Sequence, residues 1–156
     1  MRLSAEDRVA LSDLVHRYAA NVDDRRFDDA AGLFTPTAEL VVPDPPRALG
    51  PVHVHRGQQA IATAVAAVAA VARTEHAIVG EVYDEASGPG CAWGRIACVA
   101  HHWNQHGEEV IDATWHLRYD DEYTVTDAGW RMSRRALTIN AIETRAVRRL
   151  LPRDPD

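Results

Sequence analysis

The chain has 156 residues, of which 46% are hydrophobic and 26% are charged, and its formal net charge is -6. This length suits one domain with one core, and the composition excludes disordered and fibrous proteins. The negative charge opposes the basic surface that nucleic acids and anionic membranes attract, so we expect neither as a partner. A small-molecule, hydrophobic partner is favoured instead.

All 17 residues counted as lysine or arginine are arginine. The absence of lysine excludes enzymes that form a Schiff base with lysine, anchor pyridoxal phosphate or bind phosphate through a P-loop lysine. Cys91 and Cys98 lie seven residues apart without a CxxC motif, which predicts no zinc knuckle and favours a reducing compartment. Because no segment has the pattern of a signal peptide or of a membrane span, the sequence predicts a cytoplasmic protein.

Apolar residues at helical spacing predict three helices in the first half of the chain. The first spans about residues 4–20, because Ser4 and Asp7 form a capping box ahead of an apolar stripe. Residues 25–34 predict a short second helix. The alanine-rich residues 58–72 predict a third helix.

Alternating polar and apolar residues predict strands in the remainder of the chain. Two short strands are expected at 38–42 and 52–56, with a loop or lid between them. Beyond Arg73, four alternating runs separated by turn-forming clusters predict an antiparallel meander. The fold class is therefore α+β, with a bent sheet that curls around the helices. We assign residues 1–145 to one domain and 146–156 to an arginine-rich tail, and we expect residues 143–156 to form a short helix or to fray.

Three polar residues are candidates for chemistry at the open end of such a curled sheet. Tyr18 and Asp23 are five residues apart near the end of the first helix, so both can project towards the opening. His76 begins a strand, and a carboxylate bonded to one ring nitrogen would leave the other nitrogen free to move a proton. Each residue also has a purely structural alternative, as a core aromatic, a helix cap and a core histidine respectively.

Two histidine pairs leave further alternatives open. His101 and His102 are neighbours on one strand, where alternation lets only one of them point inward. His53 and His55 share one strand face, which makes a metal site an alternative. The glutamate and later histidine of a cupin pattern are missing, so we expect no metal. Either His55 lines the cavity mouth, or both His53 and His55 are exposed.

A set of motifs extends over nearly the whole chain. It comprises the helix ending RYA, the turn from Asp23 to Phe27, the pair Leu33 and Phe34, the helix after Gly57, the strand TEHAIVG and the closing AGWRMSRR. Together these motifs resemble the SnoaL-like branch of the nuclear transport factor 2-like superfamily. The resemblance implies a conical, strongly bent antiparallel or mixed sheet around three helices. Members include scytalone dehydratase, a bile acid dehydratase, a hexachlorocyclohexane dehydrochlorinase and polyketide cyclases.

The resemblance also implies a site. Asp23 and His76 match the aspartate and histidine of the dehydratase and dehydrochlorinase branches. Counted without gaps, His101 matches the second histidine of scytalone dehydratase, and Tyr18 matches the tyrosine of the bile acid dehydratase. The position of one water-holding tyrosine of scytalone dehydratase is occupied by Val22, so that enzyme's own substrate is not implied.

The implied function is a lyase or isomerase that needs no cofactor. His76, oriented by Asp23, would remove a proton next to a carbonyl or other activating group. Tyr18 and His101 would donate hydrogen bonds to the developing charge or protonate a leaving hydroxide. The expected substrate is a cyclic, hydrophobic hydroxy-ketone, polyketide or steroid-like molecule, which is dehydrated or isomerised. The alternative is a non-catalytic binding or dimerisation module of the same fold.

Six further residues are predicted to contact the substrate. Arg135 is one of them and has two alternative roles, a bidentate contact with a substrate carboxylate or a contact between subunits. An apolar outer sheet face predicts a homodimer or a homotrimer. The six residues are Val42, His55, Val65, Val99, Trp115 and Arg135.

Overall fold

The computed structural model describes residues 2–153, which form an amino-terminal helical part and a six-stranded sheet. The elements are α1 (Ala5–Asp23), α2 (Phe27–Ala31), β1 (Phe34–Asp44), β2 (Ala48–Arg56), α3 (Gln58–Val65), a 3₁₀ helix (Ala66–Ala70), β3 (Arg73–Glu85), β4 (Cys91–His106), β5 (Glu109–Thr126) and β6 (Gly129–Val147).

The six strands form one mixed sheet in the order β2-β1-β6-β5-β4-β3. Strands β3 to β6 form the predicted meander, because each pairs with the next in antiparallel orientation. Strand β1 joins β6 in parallel, and β2 pairs with β1 in antiparallel orientation. Irregular registers, such as the one between Ile78 and Gly80, increase the local twist and bend the sheet. The α+β class with a curled sheet is thereby confirmed.

Helix α1 packs on the inner face of the sheet, which is the face directed towards the helices. Its first turn carries the predicted capping box, in which the Asp7 N–H donates to Ser4 Oγ at 3.0 Å and the Ser4 N–H donates to the Asp7 carboxylate at 2.9 Å. Leu11, Leu14 and Val15 are buried against the sheet. Burial of each such side chain stabilises the fold by about 1.5–3 kcal/mol.

The third helix is shorter than the sequence predicts. Helix α3 ends at Val65, and Ala66–Ala70 continues as a 3₁₀ helix without a buried side chain. The reason is that its small alanines supply little apolar surface to hold a regular helix against the core. Within residues 2–153, no helix is both long and apolar enough to cross a bilayer.

The end of the chain also differs from the prediction. Residues 143–147 are neither helical nor frayed, because β6 continues to Val147 and pairs there with Val110 of β5. The long β5 supplies backbone partners over this stretch, and these override the expected fraying. Residues 154–156 of the predicted tail lie outside the described part of the chain.

Candidate active site

A cavity of about 400 Å³ lies between the inner face of the sheet, α1 and α3. Its volume and mostly apolar wall are typical of a small-molecule site. Among the described residues, four lining side chains carry a hydroxyl or imidazole group: Tyr18, His76, His102 and Tyr119. The lining residues are Tyr18, Val22, Leu40, Val42, Pro43, Ala64, Val65, Ala67, Val68, Val71, His76, His102, Ala113, Trp115, Leu117, Tyr119 and Leu137.

A second depression, of about 680 Å³, lies between α1 and β3. Charged groups of Arg8, Asp13 and Glu81 contribute to its wall, and it is a shallow groove on the protein surface. Because an apolar molecule placed there would stay largely in water, the cavity of about 400 Å³, which is less open, is the better candidate.

Asp23 and His76 meet at the cavity wall. Asp23 ends α1 and His76 lies near the start of β3, and His76 Nδ1 is 2.6 Å from Asp23 Oδ1. The backbone N–H of His76 donates to Oδ2 at 2.9 Å, and the Thr74 hydroxyl donates to Oδ1 at 3.0 Å. Since a carboxylate only accepts, Nδ1 carries the proton and Nε2 keeps a free lone pair. The His76 side chain is 8% exposed, so bulk water has little access to it.

The second histidine of the cavity is His102 and not His101. Along β4 the buried residues Cys98, Ala100 and His102 face inward, whereas His101 lies on the outer face and bonds Asp112 at 2.6 Å through Nδ1. The comparison with scytalone dehydratase, which was counted along the sequence without gaps, therefore selected His101 instead of its neighbour His102. One extra residue in a β-bulge, such as that between Ile78 and Gly80, is enough to move such a count by one.

The hydrogen bonds of His102 define what its ring can do. Nδ1 is 2.9 Å from the carbonyl oxygen of Ala113, so Nδ1 donates and Nε2 is an acceptor in the neutral ring. Its ring centre lies 6.1 Å from that of His76 and 4.5 Å from that of Trp115. Burial lowers the pKa of His102, which favours the neutral form. In this form the Nε2 atom of His102 can accept a hydrogen bond from a ligand hydroxyl but cannot donate one.

This burial predicts a pH-dependent loss of stability. The pKa of His102 is lowered from its ordinary value of 6.5 by burial in the folded protein and returns to that value on unfolding. Between the two values the unfolded chain binds the extra proton, so the free energy of unfolding falls as the pH drops below 6.5. We expect this group to contribute up to about 1.4 kcal/mol per pH unit. Urea unfolding at about pH 7.5 and 5.5 should show a smaller acid loss for His102→Gln. An equal loss in both proteins would contradict this assignment.

A buried ion pair lies behind two tyrosines of the wall. Arg135 is fully buried, and its Nε and Nη2 donate to the Asp121 carboxylate at 2.8 and 2.6 Å. Its guanidinium carbon lies 4.4 Å from the ring centre of Tyr18 and 4.0 Å from that of Tyr119. Arg135 therefore cannot contact another subunit at the surface, and the partner of its bidentate bond is Asp121 of the same chain. Both alternatives from the sequence are wrong for this reason.

The two tyrosines keep their protons at neutral pH. Burial raises the pKa of Tyr18 and of Tyr119, so each side chain presents a neutral hydroxyl. The rings of Tyr18 and Tyr119 meet edge to face, with centres 6.1 Å apart. Such a packed pair holds its rings in fixed positions, which suits a preorganised hydrogen-bond donor.

The other predicted contact residues divide into two groups. Val42, Val65 and Trp115 line the cavity. Val99 does not, because it lies on the outer face of β4, and half-buried His55 lies on edge strand β2 opposite Leu40 without reaching the wall. Over residues 2–153, no three histidine, cysteine or acidic side chains are grouped so as to hold a metal ion.

Four polar residues near the site were not assigned to it from the sequence, although His102 was considered beside His101. His102 had a usable signal, because it alternates with Ile96, Cys98 and Ala100 on the more apolar face of its strand. No local sequence signal marks Tyr119, Thr74 or Asp121, because their roles depend on which strands are neighbours. The four missed residues are Thr74, His102, Tyr119 and Asp121.

Comparisons with known proteins agree with this fold. Residues 3–136 match the family described as the SnoaL-like domain. No curated protein matches the chain.

Solved structures show the same architecture at low sequence identity. A putative scytalone dehydratase from Novosphingobium aromaticivorans is 19% identical, with 96% of this chain and 92% of that chain covered and a TM-score of 0.72. A hexachlorocyclohexane dehydrochlorinase from Novosphingobium barchaimii is 19% identical, with 95% and 96% covered and a TM-score of 0.74. A protein of unknown function from Mycobacterium tuberculosis is 21% identical, with 88% and 78% covered and a TM-score of 0.69.

These neighbours share the fold, but their names give two different activities and, for one of them, no known function. The fold alone therefore assigns no reaction. The family match is more specific, because it extends over most of the chain. The matched residues include α1, both Asp23 and His76, and the meander through the start of β6. The chain belongs to the SnoaL-like family.

Proposed function

We propose that the protein is a lyase or isomerase that needs no cofactor and removes a proton from a carbon next to an activating group. The observation that carries the proposal is the 2.6 Å hydrogen bond between Asp23 Oδ1 and His76 Nδ1 beside an apolar cavity. The carboxylate holds the ring in the tautomer with a free Nε2. Its charge also stabilises the imidazolium that forms when Nε2 takes the proton.

The developing negative charge on the substrate requires a donor. Tyr18, whose hydroxyl is neutral, lines the same cavity, and a donor aimed at the developing charge where the substrate excludes water is worth about 3 kcal/mol in the transition state. His102 accepts a hydrogen bond from the substrate's hydroxyl and so orients this leaving group. In a dehydration, the Cα proton moves to His76 Nε2, the C–O bond breaks, and the imidazolium returns the proton to the departing hydroxide as water.

The wall of the cavity favours a neutral, compact, cyclic substrate. None of its described lining side chains carries a permanent charge, and the Arg135 charge behind it is already paired with Asp121. A volume of about 400 Å³ is near the lower end for drug-sized ligands, so a long chain would not fit. We therefore propose a cyclic hydroxy-ketone of polyketide or steroid-like type. The dehydratase and dehydrochlorinase among the structural neighbours support an elimination.

The test measures the turnover of a panel of cyclic β-hydroxy ketones. The absorbance of the enone product reports the rate. We expect Asp23→Asn to lower kcat by about 10²-fold, because the amide cannot hold and stabilise the imidazolium as the carboxylate does. Asp24→Asn is the matched control, since Asp24 is exposed and pairs with Arg26 at 3.1 Å. Its kcat should be unchanged.

Two outcomes would contradict the proposal. In the first, Asp23→Asn turns over the panel as fast as the unmodified protein. In the second, both proteins bind a ketone with equal affinity and neither converts it. The second outcome would identify the chain as a ligand-binding module.

A further inference from the structure

The Thr74 hydroxyl connects the Asp23 carboxylate to a guanidinium group. Arg25 Nη1 lies 3.1 Å from Thr74 Oγ1, and Thr74 Oγ1 lies 3.0 Å from Asp23 Oδ1. Because a guanidinium has no acceptor, Thr74 accepts from Arg25, and its single hydroxyl proton is directed to Asp23. Thr74 is only 8% exposed, so water does not compete for these bonds.

Arg25 occupies this place against two opposing factors. Its φ is 63°, in the left-handed region that residues other than glycine rarely adopt. Burial and the nearby positive charges of Arg153 and Arg73 lower the pKa of Arg25. The side chain is nevertheless held by two bonds, one to Thr74 and one from Nη2 to the carbonyl oxygen of Val71 at 3.0 Å.

We propose that Thr74 and Arg25 are positioning residues for the Asp23–His76 pair, and that Arg25 acts through Thr74. This inference rests on the proposed function of the pair. The Thr74 bond fixes the rotamer in which Asp23 meets both Nδ1 and the backbone N–H of His76. It also draws part of the carboxylate charge away from His76. Arg25 fixes the direction of the hydroxyl and joins it to Val71, which lines the cavity.

The outer face of the sheet holds a matched pair that serves as an internal reference. Asp112 accepts from His101 Nδ1 at 2.6 Å and from the Thr114 hydroxyl at 2.9 Å, which repeats the aspartate, histidine and threonine geometry of the cavity. Within the described part of the chain, the Thr114 hydroxyl bonds no guanidinium. A change that acts through Arg25 should therefore affect His76 and leave His101 unaltered.

The experiment is proton NMR of the full-length protein with ¹⁵N-labelled histidine. The two short imidazole-to-carboxylate bonds should give separate downfield Nδ1–H signals, assigned with His76→Gln and His101→Gln. In Thr74→Val and in Arg25→Met, we expect the His76 signal to shift and its exchange with water to accelerate about tenfold. Thr74→Ser keeps the hydroxyl and should restore both properties.

Controls separate this role from general loosening of the structure. Arg26→Met removes the adjacent charge, which pairs with the exposed Asp24 at 3.1 Å, and should leave the His76 signal unchanged. The double variant of Arg25→Met and Thr74→Val should match Thr74→Val alone, because the two residues act in series. An unchanged His76 signal, a parallel change in the His101 signal, or additive effects in the double variant would overturn the proposal.

Kinetics distinguish a failure of this inference from a failure of the proposed function. With an active substrate, Thr74→Val should lower kcat about tenfold with little change in KM, because the pair is misaligned while the apolar wall is intact. A rise in KM with an unchanged kcat would overturn a positioning role. If no substrate is turned over but the NMR signals respond as expected, the positioning role stands and the lyase assignment fails.

Discussion

Replacement of His76 by glutamine is expected to lower kcat by about 10⁴-fold, the upper range for loss of a general base. Glutamine is similar in length and can still donate to Asp23, but its amide cannot take a proton from carbon. Because the His76 side chain is 8% exposed and lies at the cavity wall, the change removes the chemistry and keeps most of the packing. Steady-state kinetics on the dehydration reaction measure the effect.

His101→Gln is the matched control for this variant. His101 has the same 2.6 Å bond to an aspartate, Asp112, but its ring lies on the outer face of the sheet, stacked on Trp103 with ring centres 5.2 Å apart. We expect its kcat to stay within about twofold of the unmodified protein. Equal losses in the two variants, or no loss in His76→Gln, would show that His76 is not the base.

Replacement of Asp121 by asparagine is expected to lower the free energy of unfolding by about 3–5 kcal/mol. Arg135 is fully buried, and the change leaves its positive charge without its carboxylate. The Tyr123 hydroxyl also donates to Asp121 Oδ2 at 2.5 Å and would lose an ionic acceptor. The rings of Tyr18 and Tyr119 compensate only in part, since a cation over a ring contributes about 2 kcal/mol when desolvated. Urea unfolding at neutral pH measures the loss.

Asp120→Asn provides the comparison on the opposite face of the same strand. The Asp120 side chain is 47% exposed and pairs with Arg118 at 3.0 Å, so its loss should cost at most about 1 kcal/mol. Replacing Asp121 by leucine together with Arg135 by methionine should cost less than Asp121→Asn alone, because no unpaired charge remains. If Asp121→Asn is no less stable than Asp120→Asn, the buried pair does not have the stabilising role described.

Local sequence patterns were sufficient for the fold class. The Ser4 capping box, the alternation beyond Arg73 and the turn clusters predict α1 and the meander from residues close together in the chain. The position of Asp23 next to His76 came from the resemblance, since 53 residues separate their hydrogen-bonding atoms in sequence. The homo-oligomer remains a prediction from the sequence.

Contacts between strands account for most of what the sequence did not predict. Asp121 and Arg135 meet because β5 and β6 pair in that register, and no local pattern reports a register. The choice between His101 and His102 depends on a single residue, because a shift by one reverses the face of a strand. Arg25 reaches Thr74 only after the turn beyond α1 places it beside β3.

Exchange of a Cα proton with solvent deuterium is the most direct test of His76 as the base, because it detects proton removal even where nothing is eliminated. The protein is incubated in D₂O with a cyclic ketone that binds the cavity, and incorporation is followed by NMR. We expect incorporation with the unmodified protein and with His101→Gln, and none above the buffer rate with His76→Gln. Equal incorporation by His76→Gln, or none by the unmodified protein with ketone bound, would contradict the proposed function.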